Sequence, residues 1–198
     1  MKKSVGIFLD RDGTINEEVD FLSNPDNLHL IPRSVEAIRE ANAMGFKVFI
    51  ITNQSGIARG FLTEERLSAI HERLLASLKA ERATIDAIYY CPHHPELGNK
   101  PYVKDCECRK PKTGMLRRAA EEFDVDLAQS FVVGDRMIDV QTGNNAGATS
   151  ILVLTGYGKE ELALCRQNNV PITYVANDLL DAIEFVSRTV RQNQHPVC

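Results

Sequence analysis

The stretch Val5-Gly6-Ile7-Phe8-Leu9-Asp10-Arg11-Asp12-Gly13-Thr14 decides the fold. Its first half, Val5 to Leu9, is a short apolar run that reads as a buried strand. The run stops in two carboxylates one residue apart, and Gly13 lets the chain turn sharply after them. Acids at the carboxyl end of a parallel strand lie where open α/β sheets bind ligands. One of the pair can attack as a nucleophile while the other moves protons. A calcium loop starting at Asp10 is excluded, because its glycine and closing glutamate would fall on Ile15 and Phe21.

Strand and helix signals alternate from there onward. Ser34 is placed to cap a helix from Val35 to Met44, which Gly45 closes. Lys47 to Thr52 reads as the second strand. Thr63 caps the next helix, with Glu64 and Glu65 suiting its dipole and Leu67, Ile70, Leu74 and Leu78 forming an apolar stripe. Ala87–Tyr90, Phe131–Val133 and Ile151–Leu154 read as further strands, and Ile172–Val175 as a last edge strand. Helices are expected around Leu116–Phe123, Ile138–Asn145 and Cys165, with a final one capped by Asp178 and running through Val186. The predicted fold is therefore α/β: a Rossmann-like, doubly wound, mostly parallel sheet with helices on both faces. One domain is expected over 1–191, followed by a disordered polar tail over 192–198.

Hydrophobic residues make up 43% of the 198, enough for a real core. A net charge of −4 argues against a nucleic-acid partner, and no apolar run is long enough to cross a membrane. The N-terminus lacks a signal-peptide pattern, so a cytoplasmic protein is expected. Five cysteines are present, and Cys91, Cys106 and Cys108 crowd the one long irregular stretch, Pro92 to Lys112. Cys165 reads as an inert buried thiol and Cys198 as part of the loose tail. Three thiolates and an imidazole can close a tetrahedral zinc site with no open position. Cys91 and His93 would form one knuckle, Cys106 and Cys108 the other, with His94 the weaker choice of imidazole. Such a Zn²⁺ would fold a loop that cannot bury a core of its own.

Three more pieces bear on chemistry. Thr52-Asn53-Gln54-Ser55-Gly56 follows the second strand, where a hydroxyl and backbone N–H groups can hold phosphoryl oxygens. Arg109 and Lys110 follow the second knuckle, which would fix their position. Gly134-Asp135 ends another buried strand, and Asp139 lies one helical turn on, either supporting the site or facing solvent. No P-loop and no Gly-x-Gly-x-x-Gly fingerprint exists, which disfavours a nucleotide-using kinase. A zinc-stabilised binding module without catalysis is the rival from another class.

With Asp10-x-Asp12-Gly13-Thr14, Thr52, Lys110 and Gly134-Asp135 in this order, the chain resembles the haloacid dehalogenase-like superfamily of aspartate-nucleophile phosphatases. The zinc loop and the words Thr52-Asn53-Gln54-Ser55-Gly56-Ile57-Ala58-Arg59-Gly60 and Tyr89-Tyr90-Cys91-Pro92-His93-His94-Pro95 narrow the likeness to its sugar-bisphosphate phosphatases. The histidinol-phosphate phosphatases share most of these words, but their two knuckles are typically closer together. The resemblance implies Asp10 as nucleophile and Asp12 as proton donor and then base. It implies Mg²⁺ on the Asp10 and Asp135 side chains and the Asp12 backbone carbonyl, with Thr52 and Lys110 on the remaining phosphoryl oxygens. It also implies a nearly capless, monomeric enzyme acting on a small-molecule sugar bisphosphate. Glu18, Val19, Asp20 and Phe21 would line the entrance, Asn53, Gln54 and Ser55 would flank the reacting phosphate, and Arg109 and Arg136 would reach the far end of the substrate.

Overall fold

Four apolar residues with no alternation, Gly6–Leu9, form strand β1, buried along its whole length. A strand covered on both faces reads as such a run because neither face meets water. The computed structural model describes residues 3–194. Beyond β1 it contains α1 (Ser34–Ala43), β2 (Lys47–Asn53), α2 (Glu64–Ala80), β3 (Ala87–Cys91), α3 (Gly114–Phe123), β4 (Phe131–Gly134), α4 (Met137–Ala146), β5 (Thr149–Val153), α5 (Gly158–Gln167), β6 (Tyr174–Ala176) and α6 (Leu179–Gln194). All six strands are parallel, in the order β3-β2-β1-β4-β5-β6.

The central strand pairs on both sides, Ile7 opposite Val48 in β2 and opposite Phe131 in β4. Its side chains alternate between two layers. Ile7 and Leu9 pack with Ile38 of α1 and Ile183 of α6, whereas Phe8 packs with Leu116 of α3. Val140 of α4 and Cys165 of α5 meet over Leu152 of β5, which makes Cys165 a buried packing residue. The strand order reverses between β1 and β4, and this switch point leaves a crevice at the carboxyl ends of the strands. Asp10 and Asp135 sit directly past those two ends.

Two expectations about the elements are corrected. Ser34 does not cap α1: the cap is Arg33, in the left-handed region at φ 68°, and Ser34 lies inside the helix with a buried hydroxyl that has no partner. Arg33 is held there by Asp178, 2.9 Å away at the start of α6. The final helix, capped as expected by Asp178 accepting from the Asp181 N–H at 2.9 Å, runs on past Val186 to Gln194. Val186 and Val190 pack against the core, which carries the helix past Val186. Residues 195–198, including Cys198, lie outside the described residues. No described helix is long and apolar enough to cross a membrane.

Candidate active site

Four charged side chains meet past the ends of β1 and β4. Lys110, almost fully buried, places its Nζ 2.9 Å from Asp10 Oδ1, 2.5 Å from Asp139 Oδ1 and 3.0 Å from the Ile51 carbonyl. Its segment is clamped to the end of β2, where Asn53 accepts from the Lys110 N–H at 3.1 Å and donates to the Lys110 carbonyl at 3.2 Å. Burial alone would pull the lysine's pKa down, but Asp10 and Asp139 push it up, so it stays charged. The other oxygen of Asp139 accepts from the Arg136 N–H at 3.0 Å, tying down the start of α4. Both its oxygens are therefore engaged, and its carboxylate supports the site from behind Lys110.

Asp135 is fully buried, and its Oδ2 accepts from the Tyr157 N–H at 2.9 Å. Its Oδ1 is buried with no partner. Burial first, then Asp10 and Asp139, push its pKa up to about 8. Asp10 is raised to about 6 by burial, with Lys110 opposing and Asp139 adding to the rise. An orphaned carboxylate oxygen beside two further acids and a single lysine is the donor set a divalent cation satisfies. Asp10, Asp135 and Asp139 each offer an oxygen within one metal-sized cluster. Cβ atoms at Gly13 and Gly156 would overlap the Asp135 carboxylate, so two glycines at positive φ keep room for it.

Asp12 faces another set of partners. Fully buried Arg11 holds it side-on, with Nη2 2.7 Å from Oδ2 and Nε 3.1 Å from Oδ1. Asn16 donates to Oδ1 and Gln54 to Oδ2, each at 2.9 Å. Burial would raise the Asp12 carboxyl, but Arg11 and these donors hold it below the usual range. The same Gln54 amide donates to the Thr52 hydroxyl at 2.8 Å, linking Thr52 to Asp12. Behind Arg11 lies His71 of α2, its Nε2 3.2 Å from Arg11 Nη1.

Asp10, Asp12, Thr52 and Lys110 floor a polar cleft of about 270 Å³, with Asp135, Asp139, Arg11 and His71 behind them. Its walls include Glu18, Asp20, Phe21, Asn53, Gln54, Ser55, Arg109 and Arg136. Val19, expected among them, is not a wall residue; its side chain is solvent-exposed. Arg136 lies 3.5 Å from Glu18 and stacks over the Tyr157 ring, whose hydroxyl donates to Asp20 at 3.1 Å. Arg59, Tyr157, Arg11 and His71 were not singled out from the sequence. Arg59 lies in the Thr52–Gly60 stretch and Arg11 between the two motif aspartates, whereas Tyr157 and His71 carry no local signal.

At the end of β3 a second cluster forms. Cys91, His93, Cys106 and Cys108 present four ligand atoms together, with Sγ–Sγ separations of 3.5 Å (Cys91–Cys106) and 3.3 Å (Cys106–Cys108). His93 Nδ1 lies 3.7 Å from Cys91 Sγ and 3.4 Å from Cys108 Sγ. Tetrahedral zinc thiolates put sulfurs about 3.8 Å apart, and disulfides about 2 Å, so the spacing fits a metal. His94 turns away: its Nδ1 accepts from the Glu96 and Leu97 N–H groups at 3.2 and 2.9 Å. The structure thus gathers His93 rather than His94 with the thiols.

A family profile described as HAD-hydrolase-like matches residues 107–182. The D-glycero-D-manno-heptose-1,7-bisphosphate 7-phosphatase of Chlorobaculum tepidum is 39% identical over 189 residues, covering 92% of this chain and 94% of that protein. The D-glycero-β-D-manno-heptose-1,7-bisphosphate 7-phosphatase of Haemophilus influenzae is 44% identical over 76% of this chain and 82% of its own length. The chain belongs to the heptose-bisphosphate phosphatase family of HAD-like hydrolases. Among solved structures, D,D-heptose 1,7-bisphosphate phosphatase from B. bronchiseptica, complexed with magnesium and phosphate, superimposes with a TM-score of 0.83 at 38% identity. It covers 93% of this chain and 99% of its own. That match extends the family assignment from the 107–182 segment to both halves of the sheet.

Proposed function

We propose that the protein is an Mg²⁺-dependent phosphatase that removes the 7-phosphate of D-glycero-D-manno-heptose 1,7-bisphosphate through an aspartyl-phosphate. The observation that carries this reading is Asp10 at the switch point, held 2.9 Å from Lys110 beside the unpartnered Asp135 Oδ1. Asp10 attacks phosphorus, forming the acyl-phosphate bond as the bond to the sugar oxygen breaks. Asp12 passes to that oxygen a proton brought in by the substrate phosphate, then takes one from the water that hydrolyses the intermediate. Asp10, Asp135 and the Asp12 backbone carbonyl would hold Mg²⁺, which supplies charge to offset the repulsion between carboxylate and phosphate. Lys110 and the Thr52 hydroxyl cover the phosphoryl oxygens as charge spreads in the transition state. Cys91, His93, Cys106 and Cys108 are read as a closed structural Zn²⁺ site that sets the Arg109-Lys110 segment.

For the distant phosphate, the geometry favours Arg59 and Arg109 over the sequence-based pair Arg109 and Arg136. Arg136 is partly neutralised by Glu18. His94 accepts through Nδ1, so its proton sits on Nε2, which faces Arg59 Nη2 at 3.3 Å. That nitrogen cannot accept from Arg59, so the guanidinium, which lines the cleft with Arg109, keeps its donors for an anion, and arginine's fork suits a phosphate.

The test is a phosphate-release panel containing both heptose bisphosphate anomers, heptose monophosphates, histidinol phosphate and p-nitrophenyl phosphate, with NMR of the product. Highest kcat/KM for a heptose bisphosphate, with the 1-phosphate retained, is expected. A much higher kcat/KM for histidinol phosphate would replace this substrate assignment with that one.

A further inference from the structure

We infer that His71 is a positioning residue for proton transfer, fixing the Asp12 carboxylate through Arg11. The inference rests on the phosphatase reading above, in which Asp12 protonates the departing sugar oxygen. Helix α2 buries five residues: Leu67, Ile70, Leu74 and Leu78 form an apolar stripe, and His71 is the one polar member. A polar ring on an apolar stripe needs a partner. Its partner is Arg11, whose guanidinium is entirely removed from water.

Arginine has only donors and stays charged. Nε and Nη2 are committed to Asp12, which leaves Nη1 pointing at His71 Nε2, 3.2 Å away. His71 therefore accepts through Nε2, as a neutral ring carrying its proton on Nδ1. Burial first, and Arg11 second, hold its pKa down at about 3, in keeping with that state. The ring is steadied edge-on against Tyr90 of β3, with centroids 6.0 Å apart. Arg11 is thus pinned at both ends, by a helix on one side and by the nucleophile's loop on the other. Without the acceptor, Nη1 would be a buried unpaired donor and the guanidinium would have to move. Asp12, held side-on by that guanidinium, would move with it, and proton transfer is sensitive to misplacement on the scale of an ångström.

A residue that merely packs would affect all substrates alike. A residue that positions Asp12 matters only where the leaving group needs a proton. A sugar oxygen needs one, and p-nitrophenolate leaves without one. The value of kcat/KM reports the steps up to phosphorylation of Asp10, so it isolates this difference. His71→Leu removes the acceptor, and His71→Gln keeps an amide oxygen that can reach the Nε2 position.

With Mg²⁺-loaded protein, His71→Leu is expected to lower kcat/KM for the heptose bisphosphate about ten- to a hundredfold. The fall for p-nitrophenyl phosphate should be far smaller, and His71→Gln should recover most of the loss on the sugar. An equal fall on both substrates, or none on the sugar, overturns the inference. Asp12→Asn is the reference. A leaving-group bias in Asp12→Asn with none in His71→Leu overturns the role of His71 alone. No bias in Asp12→Asn overturns the assignment of Asp12, and the role of His71 with it. His71→Met takes the place of His71→Leu in the same comparison if the latter does not fold.

Discussion

Asp10 and Asp12 are one residue apart and electrostatically opposite: burial lifts the first to about 6, while Arg11 holds the second below its usual range. Their substitutions should differ accordingly. Asp10→Asn should abolish phosphate release and the phospho-adduct seen by intact-mass measurement, with an unchanged circular dichroism spectrum. Asp12→Asn should retain the fold and lower the rate about 10²–10⁴-fold. The cluster also carries a pH signature. Asp135 is raised from 3.8 to about 8, so the native protein binds more protons than the unfolded chain between those values. Its contribution to stability is present in full below about pH 4 and lost as pH rises through about 8. Mg²⁺ replaces the missing proton, so the rise in melting temperature on adding Mg²⁺ should be larger at pH 8 than at pH 5; equal shifts would count against Asp135 as a ligand. The acids and Lys110 were legible because their types and spacing are local. The pairing of Arg11 with His71 was not, because it spans 60 residues and neither the motif around Arg11 nor the stripe around His71 points to the other.

Loops between elements do much of the placing. Gly156, after β5, sits at φ +54°, where a Cβ would overlap the Asp135 carboxylate; Gly147, after α4, sits at φ +71° with open space around it. Gly156→Ala should therefore weaken Mg²⁺ binding in a titration of activity against metal. Gly147→Ala should leave binding alone and lower stability by about 1 kcal/mol. Cys91 ends β3 beside Asn53, and its carbonyl accepts from the Gln54 N–H at 2.8 Å, so the thiol cluster shares a boundary with the cleft. Cys106→Ser should lower both bound zinc, read by elemental analysis, and melting temperature. Retained zinc at about one per chain would contradict the four-ligand assignment. The strands were legible as unbroken apolar runs, and α2 from its Thr63 cap and stripe. The start of α1 was not: the helix begins one residue early, with Arg33 at the cap, and the Arg33–Asp178 contact that accompanies it spans 145 residues.

Across the molecule, loops from both halves of the sheet line the active-site cleft, and selectivity falls to them. Arg59→Ala should reduce kcat/KM for the heptose bisphosphate at least about tenfold, the scale of a lost charge-assisted contact, with p-nitrophenyl phosphate much less affected. An equal loss on both would place Arg59 outside the distal subsite. The parallel order legible in the alternation of elements did not reveal this apposition, which depends on β1 lying between β2 and β4. That arrangement has a consequence on the ribosome. The strand at the middle of the sheet is synthesised first, yet its second neighbour, at Phe131–Gly134, arrives last among the pairings it needs. At about 5–20 residues per second, the nascent chain spends several seconds with one edge of β1 open. An unpaired edge is a template for the wrong partner. Asp10 likewise waits for Asp135, so an emerging or stalled chain that ends before β4 has an open sheet edge and only one of its three clustered carboxylates.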